Sequence, residues 1–272
     1  MKVIRGIPPS FHKTPCALTI GNFDGVHQGH LAFLKKLQIQ AKQLQVQTCV
    51  LTFEPHPKEF FDPAKAPARI LNLRDKLEAL QAADIDLVVV ERFNANFASM
   101  SPEVFVEKII VDGLRAKHIV IGDDFCYGAK RAGSFTTLQQ AGKISGFTVE
   151  SLDTVLDQQQ TRISSSAIRQ ALKDGQIARA KQLLGRPYTI SGHVIHGKKL
   201  GRTIGFPTLN LAISSKARPR IPAMRGIFIV QVHGLGPSPL PAVASIGVRP
   251  TVEDAGRVLL ETHIFDVNQA VY

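Results

Sequence analysis

Two textures of apolar and polar positions meet near residue 185 of this chain. Before it, short unbroken apolar runs alternate with stretches in which apolar residues recur every three or four positions. The runs 17–20, 48–53, 86–90, 118–121 and 147–152 read as buried strands. Between them, 31–44, 73–83 and 102–111 carry helical spacing, and Leu31, Leu34, Leu37 and Ala41 form the apolar stripe of the first. Ser101 is placed to cap the third helix, with Pro102 at its first position. Strand–helix alternation with apolar strands predicts an α/β fold, a doubly wound parallel sheet covered on both faces. Two shorter helical patterns follow, 167–172 and 176–184, closed by Gly175 and Gly185. After Arg186-Pro187 the runs 188–195, 227–232, 242–246 and 258–265 are separated by Gly and Pro, which predicts a small antiparallel β-barrel. The expected units are therefore 1–184 and 185–272.

Composition narrows the chemistry. With 272 residues, 44% hydrophobic and 20% charged, the chain has the make-up of a folded globular protein with room for two cores. No apolar run is long enough to span a bilayer, and Pro8 and Pro9 interrupt the N-terminal segment before a signal peptide's apolar region could form. Cys16, Cys49 and Cys126 are few and lack the spacing of a zinc site, which fits a reducing, cytoplasmic location. The net charge is +11, split between 23 basic against 18 acidic residues in 1–182 and 10 against 4 in 183–272. With no long basic block, this charge fits phosphorylated small molecules better than nucleic acid or a membrane surface.

The densest chemistry lies at Gly21-Asn22-Phe23-Asp24-Gly25-Val26-His27-Gln28-Gly29-His30, between the first strand and the first helix. Glycines let backbone amides approach a ligand, and a helix N-terminus favours negative charge. His27 and His30, three apart, project from one side if the helix begins near Val26. Alone, such a pair reads more readily as two surface or half-buried histidines than as a polyphosphate grip. Further segments follow predicted strands directly: Glu54-Pro55-His56-Pro57 and Gly122-Asp123-Asp124-Phe125-Cys126-Tyr127-Gly128. Ligands in open parallel sheets sit beyond the carboxyl ends of the strands, so all three loops should line one crevice. Ser164, Ser165 and Ser166 open the 167–172 helix, where a serine can cap and Arg169 can either be solvated or meet phosphate.

His27-Gln28-Gly29-His30 resembles the His-x-Gly-His signature of the nucleotidylyltransferase superfamily. With the 52–57, 122–128 and 163–169 segments, it is similar to the FMN adenylyltransferase half of the bifunctional bacterial riboflavin kinase/FAD synthetase family. That resemblance implies adenylyl transfer from ATP to FMN, giving FAD and pyrophosphate. It implies His27, His30 and Arg169 at the phosphates, with Gly21, Asn22, Phe23, Asp24, Gly29, Ser164 and Ser165 around ATP. It places Asp124, Phe125, Pro55 and His56 on the flavin side.

Leu200-Gly201-Arg202-Thr203-Ile204-Gly205-Phe206-Pro207-Thr208-Leu209-Asn210 by itself reads as a flexible hairpin loop. It resembles the Gly-Arg-x-x-Gly-Phe-Pro-Thr-x-Asn signature of riboflavin kinases. On that resemblance Gly201, Arg202, Gly205, Phe206 and Pro207 cover ATP, Thr208 and Asn210 hold Mg²⁺, and Glu261 is the general base toward riboflavin. Read from periodicity alone, Glu261 is equally an outward-facing strand residue. Ser245 stands where many family members have Asn, and the family pattern continues past Tyr272 with a further strand and helix. The expectation is thus a C-terminally shortened kinase unit with impaired riboflavin phosphorylation. Another nucleotidylyl acceptor, or a basic RNA-binding protein on an old fold, are the alternatives. Oligomeric state is not legible.

Overall fold

A computed structural model describes residues 1–7, 14–196, 206–213, 222–248 and 258–267. In chain order the first part contains β1 (Lys2–Arg5), β2 (Cys16–Ile20), α1 (Gln28–Leu44), β3 (Gln47–Glu54), α2 (Pro57–Phe61), α3 (Leu73–Ala82), β4 (Leu87–Arg92), α4 (Ala95–Ala98) and α5 (Pro102–Phe105). It continues with β5 (Ala116–Gly122), β6 (Cys126–Tyr127), β7 (Gly133–Ser134), α6 (Phe135–Ser145), β8 (Thr148–Leu152), α7 (Ser165–Lys173) and α8 (Ile177–Leu184). Helix α5 runs on as a π-helix over Val106–Gly113.

All five predicted strands of this part form, and β1 joins them at an edge. They build one parallel sheet in the order β1-β4-β3-β2-β5-β8. Alternate side chains divide between its faces. Leu18, Leu51, Val89 and Ile119 pack with Ile110, Leu114 and Leu138 on one side. Val50 and Val88 pack with Leu34, Leu80 and Ile168 on the other. Both faces are covered, as apolar parallel strands require. The strand order reverses at β2, whose two neighbours are β3 and β5. A crevice therefore opens above the carboxyl ends of β2 and β5.

Helix α1 begins at Gln28, three residues ahead of the 31–44 apolar pattern, because His27 caps it. The stripe also shifts: Leu34, Leu37 and Ala41 are buried, whereas Leu31 is an exposed residue. Helix α6, which apolar spacing did not reveal, is fixed by its ends. Ser134 accepts from the Thr137 N–H, Thr137 Oγ1 returns the bond to the Ser134 N–H, and Gly146 closes the helix at φ 79°. Gly142 is obligatory inside it, since a Cβ there would lie 2.4 Å from the Phe147 carbonyl oxygen.

The second part holds β9 (Val194–Ile195), β10 (Leu209–Ala212), β11 (Gly226–Val232), β12 (Leu240–Val248) and β13 (Val258–Ile264). They form a separate antiparallel sheet in the order β11-β12-β13-β10-β9. Among the described residues this sheet is open, so these strands alone do not close the predicted barrel. Most of the predicted 188–195 strand is irregular, and Tyr188 and Ile190 instead pack against an apolar layer shared by both parts. Met224, Ala244, Ile246 and Leu260 contribute to that layer from one side, and Ile70, Leu71, Leu80 and Leu184 from the other. Polar contacts reinforce it: Asn72 Nδ2 donates to the Ser191 carbonyl at 3.0 Å, and the Asp75 carboxylate accepts from the Ser191 N–H and hydroxyl.

Candidate active site

The turn between β2 and α1 is held in a costly shape. Phe23 (φ 47°), Gly25 (φ 99°) and Val26 (φ 39°) all occupy left-handed backbone space, which a β-branched residue such as valine strongly disfavours. Every carbonyl around the bend is therefore engaged. Thr52 Oγ1 donates to Asn22 O at 3.2 Å, and Ser165 Oγ donates to Asp24 O at 2.7 Å. Arg186 donates to Gly25 O at 2.7 Å and to Val26 O at 2.9 Å. The Asp24 carboxylate, 2% exposed, accepts from the Ile70 and Leu71 N–H groups at 3.1 and 3.2 Å and from Arg169 Nη2 at 2.6 Å.

This scaffold sets the two histidines in a reciprocal cap. His27 Nδ1 accepts from the His30 N–H and His30 Nδ1 accepts from the His27 N–H, both at 3.3 Å. The rings stack with centroids 3.7 Å apart and planes 18° from parallel. With Nδ1 used as acceptor in each ring, the hydrogen of each neutral imidazole is assigned to Nε2. Burial lowers the pKa of His27 to about 4, with Arg169, Arg186 and Arg162 adding to the effect and Asp24 opposing it. His30 lies well below the ordinary imidazole range, through burial and then its neighbours His27, Lys76 and Arg186. His56 repeats the device at α2: Nδ1 accepts from the Lys58 N–H at 3.1 Å, and burial followed by Arg69 lowers its pKa to about 4.

Stability should follow these rings. Folded, they stay neutral; unfolded, they take protons near the ordinary value of about 6.5. The unfolded chain then binds more protons below that value, so their contribution is complete above pH 6.5 and is lost as pH falls toward 4. The thermal midpoint is expected to drop across that window, and less steeply in His56→Asn, which keeps an acceptor at the cap. Identical slopes in the two proteins would contradict the burial of a neutral His56.

A cavity of about 920 Å³, at the upper end of the small-molecule range, opens at the predicted crevice. Gly21, Asn22, Phe23, His27, Gly29 and His30 line one side, Ser164 and Ser165 another, and His56, Asp124 and Phe125 a third. The N-termini of α1 and α7 both end on this wall, and they approach so closely that a Cβ on Gly29 would lie 3.2 Å from the Ile163 carbonyl oxygen. Two helix N-termini and two Nε2–H donors make this wall rich in hydrogen-bond donors and positive in potential. Ser164 caps α7 through the Ala167 N–H, while Ser165 is the residue that reaches the turn.

Three predicted residues are not on that wall. Asp24 faces inward as the fastener of the turn, and Arg169 turns away from the cavity toward Asp24 and the Ala68 carbonyl. A buried carboxylate demands a cationic partner, and Arg169 supplies it. Pro55 follows a cis peptide and leaves its neighbour His56 on the wall. Conversely, sequence reasoning missed an aromatic wall of Phe53, Phe93, Phe97, Phe105 and Tyr127, joined by edge-to-face and tilted ring contacts with centroids 5.3–6.0 Å apart. Phe53 lies near the end of β3 and Phe93 just beyond β4, so the carboxyl-end rule was the available signal. Lys58, Lys130, Arg131 and Arg162 add positive charge, and Arg162 Nη2 donates to Asp124 at 3.1 Å.

In the second sheet, Gly201, Arg202 and Gly205 lie outside the described residues. Phe206 is exposed and meets the His263 ring edge to face, while Pro207 O lies 2.8 Å from His263 Nδ1. Asn210 pairs with Glu261 across β10 and β13, and Glu261 pairs with Ser245 across β12, which aligns all three on one face. Thr208, exposed, lies just ahead of β10, two residues before Asn210. Asn210 Oδ1 is a buried acceptor with no hydrogen-bond donor among the described residues.

Two family models divide the chain between them: one described as FAD synthetase matches residues 10–167, and one described as riboflavin kinase matches residues 184–272. The chain belongs to the bifunctional riboflavin kinase/FMN adenylyltransferase family. The protein of that name from Escherichia coli K12 is 46% identical over 275 residues, a match covering 100% of this chain and 86% of its relative. The Haemophilus influenzae relative is 44% identical over 100% of this chain and 87% of its own, and that of Pseudomonas fluorescens 45% over 94% and 80%. A solved structure described as a macrolide-efflux protein from Streptococcus pneumoniae superposes with a TM-score of 0.81 at 29% identity, covering 99% of this chain and 86% of that one. Among the described residues no helix is long and apolar enough to cross a membrane.

Proposed function

We propose that this family member makes FAD in two steps, phosphorylating riboflavin in unit 185–272 and adenylylating FMN in unit 1–184. The observation that carries the second step is the stacked, neutral His27–His30 pair on the wall of an aromatic-lined cavity. In that step an FMN phosphate oxygen attacks the α-phosphorus of ATP. The bond from that phosphorus to the oxygen bridging the α and β phosphates breaks, and pyrophosphate leaves. His27 and His30 offer their Nε2–H groups to the charge that develops on the α-phosphate, fixed in place before the reaction. The N-termini of α1 and α7, with Ser164 and Ser165, hold the remaining phosphates. Asn22 Oδ1, a buried acceptor without a donor among the described residues, suits an ATP hydroxyl or amino group rather than phosphate. Phe125 and the phenylalanine wall offer flat apolar faces to the isoalloxazine ring, and Asp124 and His56 its polar edge. Arg169 acts through Asp24 as a positioning residue.

In the second unit, a doubly oxygen-lined edge at Thr208 and Asn210 fits Mg²⁺, and the donorless Asn210 Oδ1 supports it. When bound, the ion would neutralise charge on the phosphates of ATP. In this reading Glu261 takes the proton of the riboflavin hydroxyl as it attacks the γ-phosphate, and its pairing with Asn210 across the sheet supports that role. We propose a closed barrel around this site and a nucleotidylyltransferase-like first unit. Chromatographic separation of flavins after incubation with Mg-ATP tests the two steps separately. Glu261→Gln should slow FMN formation from riboflavin about 10²-fold, as for loss of a general base, and leave FAD formation from FMN unchanged. Unimpaired riboflavin phosphorylation would remove Glu261 from the reaction.

A further inference from the structure

The segment that joins the two sheets reaches back into the histidine turn. Helix α8 ends at Leu184, Gly185 reverses the chain at φ 77°, and the next residue, Arg186, spans to Gly25 O and Val26 O. A Cβ on Gly185 would lie 3.1 Å from Gln28 Cγ, so the reversal sits directly against the first residue of α1. Gln28 Nε2 in turn donates to Gln182 O at 2.9 Å. The other anchors of the turn stay within the first unit: Thr52 on β3, Ser165 on α7, and the Ile70 and Leu71 N–H groups that hold the Asp24 carboxylate. Arg186 alone among these anchors comes from the junction.

We propose that Arg186 is a positioning residue for adenylyl transfer, holding the strained Gly25–Val26 bend so that His27 and His30 face the phosphates as a preset pair. The inference rests on the reading of that site given above. The two bonded carbonyls belong to the residues immediately before His27, and both of those residues hold left-handed φ values. A released bend would relax toward ordinary backbone space, turning the His27 cap and, through the reciprocal bonds, the His30 ring. Arg186 is also one of the charges facing the rings. Asp24, Arg169, Arg162 and Arg186 face His27, while His27, Lys76 and Arg186 face His30. Its cation helps keep both imidazoles neutral, and hence donors through Nε2 only.

The test compares Arg186→Gln, Arg186→Lys, Ser191→Ala and His30→Ala in the full 272-residue chain, following FAD formation from FMN and Mg-ATP across pH. Arg186→Gln is expected to lower kcat about ten- to hundredfold, the range for small misplacements of a reacting constellation, with KM for ATP nearly unchanged. Its acid limb should move upward in pH, because removing the cation lets the rings take protons more easily. Arg186→Lys keeps the charge and one carbonyl contact, so it should recover part of the rate and leave the acid limb in place. Ser191→Ala loosens the same junction without touching the turn and should behave as wild type. Wild-type kcat with an unshifted acid limb in Arg186→Gln would overturn the proposal, as would an equal loss in Ser191→Ala. If the glutamine variant does not fold, a wild-type rate in the lysine variant overturns it instead. A fast His30→Ala would refute the underlying site, whereas a slow His30→Ala beside a normal Arg186→Gln refutes only the role of Arg186.

Discussion

His30→Ala should form FAD from FMN about 10³-fold more slowly than the unaltered chain, with the ATP KM changed far less. The ring supplies one Nε2–H donor aimed at charge that exists only as the α-phosphorus is attacked, and loss of one such preset donor costs about 10²–10³-fold. The upper end applies because the substitution also removes the acceptor for the His27 N–H and the ring stacked on His27. The second histidine then loses its fixed orientation together with its partner. The structural cost is that of one helix cap, about 1 kcal/mol, so the variant should remain folded. A variant that folds and keeps near-normal turnover would show that the pair does not act on phosphate.

Asp24→Ala is expected to be the most destabilising single change in the site, by about 3–5 kcal/mol. Arg169 would keep its charge with only the Ala68 carbonyl beside it, and the buried Ile70 and Leu71 N–H groups would lose their acceptor. Asp24→Asn, which retains one carbonyl oxygen, should lose clearly less. Urea unfolding midpoints of the two variants measure the difference. An alanine variant as stable as the parent would mean that the turn is held by its carbonyl contacts alone.

What could be read from sequence was local. The four inner strands announced themselves as apolar runs because both their faces are covered, and β2 is buried at all five positions, whereas the edge strand β8 is only half-buried. The histidine turn was visible because strand, glycines, His27 and His30 are contiguous. The functional partners were not visible, because their spacing in the chain is arbitrary. Arg169 finds Asp24 across 145 residues, and Arg186 finds Gly25 across 161. A sequence motif therefore suggested a phosphate contact for Arg169, where the structure gives it a buried carboxylate. The same limit hid the aromatic wall: Phe53, Phe93 and Phe105 belong to different elements and meet only because the sheet order brings their ends together. Helix α6 escaped because its caps, rather than its apolar spacing, define it.

The central claim is that neutral His27 and His30 serve adenylyl transfer to FMN in the cavity above β2 and β5. Its most direct test is FMN-dependent release of pyrophosphate from Mg-ATP by the 272-residue chain, measured beside His27→Ala and His30→Ala. Stoichiometric pyrophosphate and FAD from the parent, with both variants slowed by orders of magnitude, is the predicted result. Pyrophosphate release that ignores FMN, or that survives loss of both rings, would contradict it.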